Sequence, residues 1–317
     1  MAEPFRGRLG YGAANVGNLD RALSDEDAHA ILAAAWDAGV RTFDTAPHYG
    51  LGLSERRLGA FLATKPRDAF VVSTKAGRLL VADPAAGGEL DLAHDFHVPA
   101  DHRRVWDFSA DGIRRSHEES LERLGLERVD VLYLHDPERS DLATALADGL
   151  PGAAALRDEG LVDAVGVASM DTAALTASLE RHDPDVLMVA ARCTLADQSA
   201  GPLLDTCLDR GVAVAAAAVF NSGLLATDEV APDARFDYAP APTALRHRVA
   251  RIAEVCTRFG TTLPAAALAY PLRHPAVRCV VVGGAAPEQV RRNAALLAAP
   301  VPDGLWEALH DEGLVAR

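Results

Sequence analysis

Three apolar runs of this sequence carry an ionisable side chain at or near their C-terminal ends. Val40–Ala46 holds Asp44, Phe70–Ala76 holds Lys75, and Val129–His135 ends on His135. Tyr49 follows Asp44 by five residues, in the segment Pro47-His48-Tyr49-Gly50. Taken singly, each has a plain structural reading: a turn cap, a half-buried phenol, a strand-end lysine, a core histidine satisfied by its neighbours. Taken together they make an acid–base set. A phenol with a pKa of about 10 is a poor proton exchanger at neutral pH. An ammonium group beside it favours the phenolate. Asp44 would hold Lys75 charged and in place, and His135 would hydrogen-bond the reacting oxygen. Tyr49 could then exchange a proton with a carbonyl or alcohol oxygen while a cofactor exchanges hydride with the carbon.

Lysine is scarce here, which sharpens the case for Lys75. Of 31 Lys and Arg residues only Lys65 and Lys75 are lysines. Lys65 precedes Pro66 in a polar turn, whereas Lys75 sits in an apolar run. Arginine stays protonated in proteins, while a lysine responds to burial and neighbours. A lysine snorkelling from a strand end is the alternative that the residue alone leaves open.

The elements that must position these residues alternate regularly. Strand-like runs cover Leu9–Ala13, Val40–Ala46, Phe70–Ala76, Val129–His135, Val162–Ser169, Val186–Arg192, Val212–Phe220 and Val277–Gly283. Helical patterns lie between and after them, at Asp25–Ala38, Glu55–Ala63, Asp111–Leu124, Ala143–Glu159, Thr172–Arg181, Leu203–Asp209, Leu245–Phe259, Pro287–Leu297 and Asp303–Glu312. The strands read as continuous apolar runs, so both faces are covered and the sheet is parallel. Eight such units predict a single-domain α/β protein over residues 1–317, a (β/α)8 TIM barrel. No GxGxxG follows the first strand, which disfavours an open doubly wound sheet. Long loops, Arg78–Phe108 and Leu224–Thr243, follow strands 3 and 7 and are candidate substrate walls. In such a barrel, polar residues at strand C-termini read as catalytic.

The hydrophobic content of 49% suffices for a large core, and the net charge of −14 argues against nucleic acid or an anionic membrane surface as partner. Cys193, Cys207, Cys256 and Cys279 are scattered, with no CxxC pair, so neither a disulfide framework nor a zinc site is expected. A reducing, cytoplasmic location follows, since Met1–Arg6 shows no apolar signal segment and no apolar run reaches membrane-spanning length. His94, Asp95, His97, Asp101 and His102 lie in a polar loop without helical spacing and read as solvated; no metal is expected.

The run from Val40 to Gly50, followed by Ser54-Glu55-Arg56-Arg57-Leu58-Gly59, resembles the first signature of the aldo-keto reductases. Ser116 to Gly125, then Val129-Asp130, resembles the second. The resemblance implies a TIM barrel that binds a nicotinamide cofactor without a Rossmann fold. It places the family's tetrad on Asp44, Tyr49, Lys75 and His135. Trp106-Asp107-Phe108-Ser109, His135-Asp136-Pro137 and Phe220–Ala226 resemble the bacterial branch with D-threo-aldose 1-dehydrogenase, L-fucose dehydrogenase and pyridoxal 4-dehydrogenase. That branch implies oxidation of the anomeric hydroxyl of an aldose to a lactone, or of the hemiacetal of pyridoxal. Run in reverse, the same tetrad makes a general aldehyde or ketone reductase. A reading of another class is a redox-sensing regulatory subunit that holds the nucleotide and turns over slowly. The small-molecule partner is a sugar or aldehyde, and the chain is expected as a monomer or small homo-oligomer.

Cofactor contacts implied by the resemblance fall on Ser169, Phe220, Asn221, Ser222, Gly223, Leu224, Gly283, Gly284, Gln289 and Asn293. Ser169 stands where the family usually has Asn, and Ala190 where it often has Gln. Arg192 could take over that amide contact, touch the substrate, or form a rim salt bridge. Phe220 can stack on nicotinamide by its π face. Gly283 and Gln289 occupy positions where NADP-dependent members usually carry Lys or Arg. Without those cations a 2′-phosphate loses charge-assisted hydrogen bonds of about 1.5–3 kcal/mol each. NAD is therefore expected to be preferred and NADP tolerated, with Arg291 and Arg292 the cations that could compensate. Phe96, Trp106 and Phe108 are candidate substrate walls, with packing of the loop onto the barrel as their alternative.

Overall fold

Strands that read as unbroken apolar runs need cover on both faces, and a closed barrel wrapped in helices supplies it. The computed structural model describes residues 3–86 and 88–316. Met1 and Ala2, which open the segment read as lacking a signal, lie outside the described residues, as do Gly87 and Arg317. Eight parallel strands form the barrel: β1 (Leu9–Gly12), β2 (Thr42–Asp44), β3 (Val71–Ala76), β4 (Val131–His135), β5 (Ala164–Ser169), β6 (Val186–Ala190), β7 (Ala213–Ala217) and β8 (Val277–Val282). They run in sequence order around the barrel, and β8 closes it on β1. Helices α1 (Asp25–Asp37), α2 (Leu53–Leu62), α3 (Ala110–Leu124), α4 (Leu150–Asp158), α5 (Thr172–Arg181) and α6 (Gly201–Arg210) follow β1 to β6 in turn. Helices α7 (Thr243–Arg258) and α8 (Leu263–Ala269) lie between β7 and β8, and α9 (Pro287–Ala298) and α10 (Asp303–Asp311) end the chain. No described helix is long and apolar enough to cross a membrane.

The alternation along each strand sorts side chains between two cores. Val71 of β3 and Val131 and Tyr133 of β4 pack inside the barrel with Ala168, Met188, Cys279 and Val281, and Phe5 joins them. Phe43, Val72, Leu132 and Leu134 face outward into the larger core under the helices. Asp44, Lys75 and His135 therefore share the inward parity of Thr42, Val71 and Tyr133.

Three features depart from the sequence reading. The helix expected over Ala143–Glu159 is interrupted by a π-helical turn at Ala145–Gly149 before α4. Pro151 lacks an N–H and its ring crowds the carbonyl one turn back, so the chain widens there. The segment after β3 is not a plain loop: Arg78–Ala82 pairs antiparallel with His102–Trp106. Helix α8 was not expected; Thr262 caps it by accepting from Ala265 N at 3.2 Å, and Pro264 lies in its first turn. Ser24 and Asp27 form a reciprocal cap on α1, and Gly125 and Gly211 close α3 and α6 at φ of 62° and 71°.

Helices α2 and α3 approach closely at Gly59, where a Cβ would lie 2.0 Å from the Leu124 carbonyl oxygen. Gly59→Ala is expected to cost about 2–3 kcal/mol by forcing the two helices apart. Urea unfolding measures this, and an unchanged midpoint would contradict it.

Candidate active site

Asp44 and His135 are the last residues of β2 and β4, and Lys75 is the penultimate residue of β3, which lies between them. Strand register thus delivers three side chains to one end of the barrel. Tyr49 reaches the same place through a turn in which its N–H donates to the Ala46 carbonyl at 3.1 Å. The turn needs Gly50, which sits at φ 60° with a would-be Cβ only 2.1 Å from the Gly17 carbonyl oxygen.

The Lys75 ammonium uses all three of its donors: 2.6 Å to Asp44 Oδ2, 2.9 Å to the Thr45 carbonyl and 3.1 Å to the Tyr49 hydroxyl. Ser73 Oγ donates to the other oxygen of Asp44 at 2.7 Å. Burial opposes the charge on Lys75, but Asp44 and Tyr49 outweigh it, so its pKa moves up and it stays an ammonium. Burial pushes the Tyr49 phenol up, and Lys75 pulls it back only in part. The net shift is upward, which corrects the simple expectation of a lowered phenol pKa. Tyr49 rests protonated, and the lysine offsets part of the cost of forming its anion.

The His135 ring stands at 88° to that of Tyr49, with centroids 5.9 Å apart. Burial, then Arg78 and Lys75, hold its pKa well below the usual histidine range, so it is neutral. Its Nδ1 is buried without a partner among the described residues. His48, which the sequence did not single out, fills the space beside it, 5.8 Å from His135 and 6.0 Å from Tyr49 by ring centroids. The insertion after β3 covers this pair. Phe96 meets His48 edge-on at 5.5 Å, and Arg104, paired with Asp91 at 2.5 Å, donates to the His48 carbonyl at 2.9 Å.

The other predicted residues fall in several places. Phe220, Asn221, Ser222, Gly223 and Gly283 line one cleft of about 300 Å3, together with Asn15, Asp20, Asp237 and Tyr238. Leu224 is buried in the core around α7 rather than in the cleft wall. Gln289 accepts from Ala285 N at 2.7 Å, Asn293 donates to the Gly283 carbonyl at 3.2 Å, and the Gly284 carbonyl accepts from the Tyr11 hydroxyl at 2.9 Å. Ser169 spends its hydroxyl within the loops, donating to Glu138 at 2.8 Å and accepting from Asp171 N at 2.8 Å. Arg192 forms a bidentate pair with Asp237 at 2.7 and 3.1 Å, the rim salt bridge among the readings left open. Trp106 stays half-buried against Phe108, centroids 5.8 Å apart. Phe108 itself is buried, packed over Gly77 just past the end of β3. Among the metal-like residues, His94 is bound to Asp91 at 2.8 Å.

The cleft suits an extended nucleotide. Asn221 Oδ1 is a buried acceptor without a partner among the described residues. At Gly283 a Cβ would come within 2.7 Å of Asn15 Oδ1, so only glycine leaves this wall clear. At the N-terminus of α9 the cap residue Ala286 offers no side-chain acceptor; Pro287 has no N–H, and the Gln289 and Val290 N–H groups donate to the Ala286 carbonyl at 3.1 and 3.3 Å. Residues 8–311 match the sequence profile of the Aldo/keto reductase family. The chain belongs to the aldo/keto reductase family. It is 55% identical over 309 residues to a D-threo-aldose 1-dehydrogenase of a Pseudomonas species, covering 97% of this chain and 94% of that protein. It is 37% identical over 324 residues to the pyridoxal 4-dehydrogenase of Microbacterium luteolum, again covering 97% and 94%. The glycerol dehydrogenase of Gluconobacter oxydans shares the fold at a TM-score of 0.77 and 21% identity, covering 98% of this chain and 92% of that one. As a member of this family the chain is an NAD(P)-dependent oxidoreductase.

Lys75→Met is expected to lower kcat about 10²–10⁴-fold, the usual worth of a positioned acid–base group. It also leaves Asp44 buried and unpaired, so stability falls by about 3–5 kcal/mol. Steady-state kinetics on folded protein and urea unfolding check the two effects separately. Because Tyr49 titrates above the ordinary tyrosine value and must be the anion to accept a proton, oxidative kcat/KM should rise with pH through the alkaline range. An oxidative rate that falls as pH rises would contradict this assignment.

Proposed function

We propose that this protein oxidises the anomeric hydroxyl of an aldose of the D-threo or L-fucose type to the lactone, with NAD preferred over NADP. The observation that carries the reading is the Tyr49 hydroxyl held 3.1 Å from a buried ammonium. The 55% identity to a D-threo-aldose 1-dehydrogenase supports the substrate class. A bound nicotinamide nucleotide supplies the hydride chemistry at the carbon. Tyr49, as the phenolate that Lys75 stabilises, takes the hydroxyl proton and returns to the phenol, and neutral His135 donates a hydrogen bond that orients the reacting oxygen. His48 packs against Tyr49 and His135, and Phe96 against Tyr49, so that their rings would limit water at the reacting atoms.

Phe220, Asn221, Ser222 and Gly223 would hold the nicotinamide half, and Gly283, Gly284 and Asn293 the adenosine half. The preference for NAD rests on what lies beside Gly283 and Ala285. Gln289 turns back to the backbone, Arg291 pairs with Glu288 at 2.8 Å, and Arg21 is spent on the Ala285 carbonyl at 2.5 Å. The four cysteines are free and buried, which suits a reducing compartment such as the cytoplasm.

A panel of L-fucose, other aldoses and pyridoxal, run oxidatively with each cofactor, tests the reading. We expect turnover of at least one aldose and kcat/KM at least about 10-fold higher with NAD, the worth of one charge-assisted hydrogen bond. Turnover of pyridoxal alone, or no turnover with any substrate in either direction, would overturn it, as would a preference for NADP in the cofactor claim.

A further inference from the structure

Asp136 follows His135 directly, and the chemistry above gives it no role. Its backbone sits at φ 44°, in the left-handed region that a non-glycine residue enters at a cost. Its Oδ2 accepts from Arg78, whose side chain is only 4% exposed and whose guanidinium lies 4.4 Å from the centre of the Trp106 ring. The Asp136 side chain remains 20% exposed, and its Oδ1 accepts a hydrogen bond from no described residue. Two further groups lie near Oδ2 without hydrogen-bonding it: the Arg139 guanidinium, whose Nη1 makes a long ion pair at 3.9 Å, and the neutral His135, whose Nε2 is 3.8 Å away. A carboxylate is thus anchored through one oxygen by a buried arginine, beside the imidazole that orients the reacting oxygen, with acceptor capacity unspent.

That spacing has a chemical match. In a 2-hydroxy aldehyde or an aldose, the hydroxyl on the adjacent carbon lies about one hydrogen-bond length from the reacting oxygen. A substrate whose reacting oxygen meets His135 Nε2 brings that hydroxyl within reach of Asp136. We propose that Asp136 accepts a hydrogen bond from the hydroxyl next to the reacting carbon, so that the site selects 2-hydroxy aldehydes and aldoses over their 2-deoxy counterparts. Arg78 is a positioning residue in this scheme: it fixes the carboxylate and contributes no contact of its own. The proposal rests on the acid–base reading of Tyr49 and His135, and extends it to substrate choice.

The test is the ratio of kcat/KM for matched pairs: L-fucose against 2-deoxy-L-fucose with NAD, and lactaldehyde against propanal with NADH. The native protein should favour the hydroxylated member of each pair by about 10- to 100-fold, the range for a hydrogen bond to a charged group. Asp136→Asn keeps the size and an acceptor for Arg78. The double variant Arg78→Met with Asp136→Leu removes both charges, so that neither is left buried and unpaired. In both variants the ratio should fall toward one, chiefly through a raised KM for the hydroxylated member. A ratio that survives in both variants, or a native protein that does not distinguish the pairs, overturns the proposal. If L-fucose and other aldoses fail while lactaldehyde is still preferred over propanal through Asp136, this inference stands and the aldose reading falls. If no carbonyl compound is turned over, the acid–base reading fails and takes this one with it.

Discussion

The geometry of the site depends on one buried ammonium group. Lys75 is 2% exposed, and such a charge is tolerated only when its desolvation is repaid by fixed partners. Three acceptors surround it, one from each of a carboxylate, a backbone carbonyl and a phenol. That tetrahedral demand explains why a chain so rich in arginine keeps a lysine here: a planar guanidinium could not serve three acceptors converging on one point. Each partner is held by something else. Asp44 is fixed by Ser73, and the Thr45 hydroxyl meets Ser54, which in turn donates to the Ala13 carbonyl at 2.8 Å. On the outer side of the same strand, Thr74 donates to Glu55, which Arg123 pairs at 2.5 Å. Ser54, Glu55 and Arg123 belong to the two signature segments, so those segments supply scaffolding for the ammonium as well as Asp44 and Tyr49 themselves.

Low dielectric makes the set work in both directions. It raises the phenol of Tyr49, which then rests as an acid, and it keeps His135 and His48 neutral, so that His135 can donate without adding charge. The same burial that opposes the Tyr49 anion strengthens the contact with Lys75 that relieves it. The insertion after β3 maintains that environment. Its Arg104–Asp91 pair is clamped on the His48 backbone, Phe96 covers the rings, and its Arg78 and Arg104 charges help hold His48 and His135 neutral.

The barrel and the tetrad were legible in the sequence because both depend on local patterns. Unbroken apolar runs fix buried parallel strands, and strand-end position alone brings Asp44, Lys75 and His135 together. What escaped depends on contacts between distant segments. His48 looked like any loop histidine until Arg104 and Phe96 met it from the insertion. Phe108 left a substrate wall and loop packing both open, and its ring packs over Gly77. Arg192 finds Asp237 across 45 positions of sequence. The π-turn before Pro151 was readable in principle, since a proline inside a helical pattern forces some adjustment, but the pattern does not say which. The upward shift of Tyr49 required weighing burial against a neighbouring charge, and the sequence supplies only the second of these.

The central claim is that the Lys75 ammonium offsets part of what burial does to the Tyr49 phenol. Titration of Tyr49 by NMR, with ring-labelled tyrosine in the native protein and in Lys75→Met, measures it directly. The account predicts a phenol that titrates above ordinary tyrosine in the native protein and higher still once the lysine is gone. A Tyr49 pKa that stays the same or falls in Lys75→Met would contradict it.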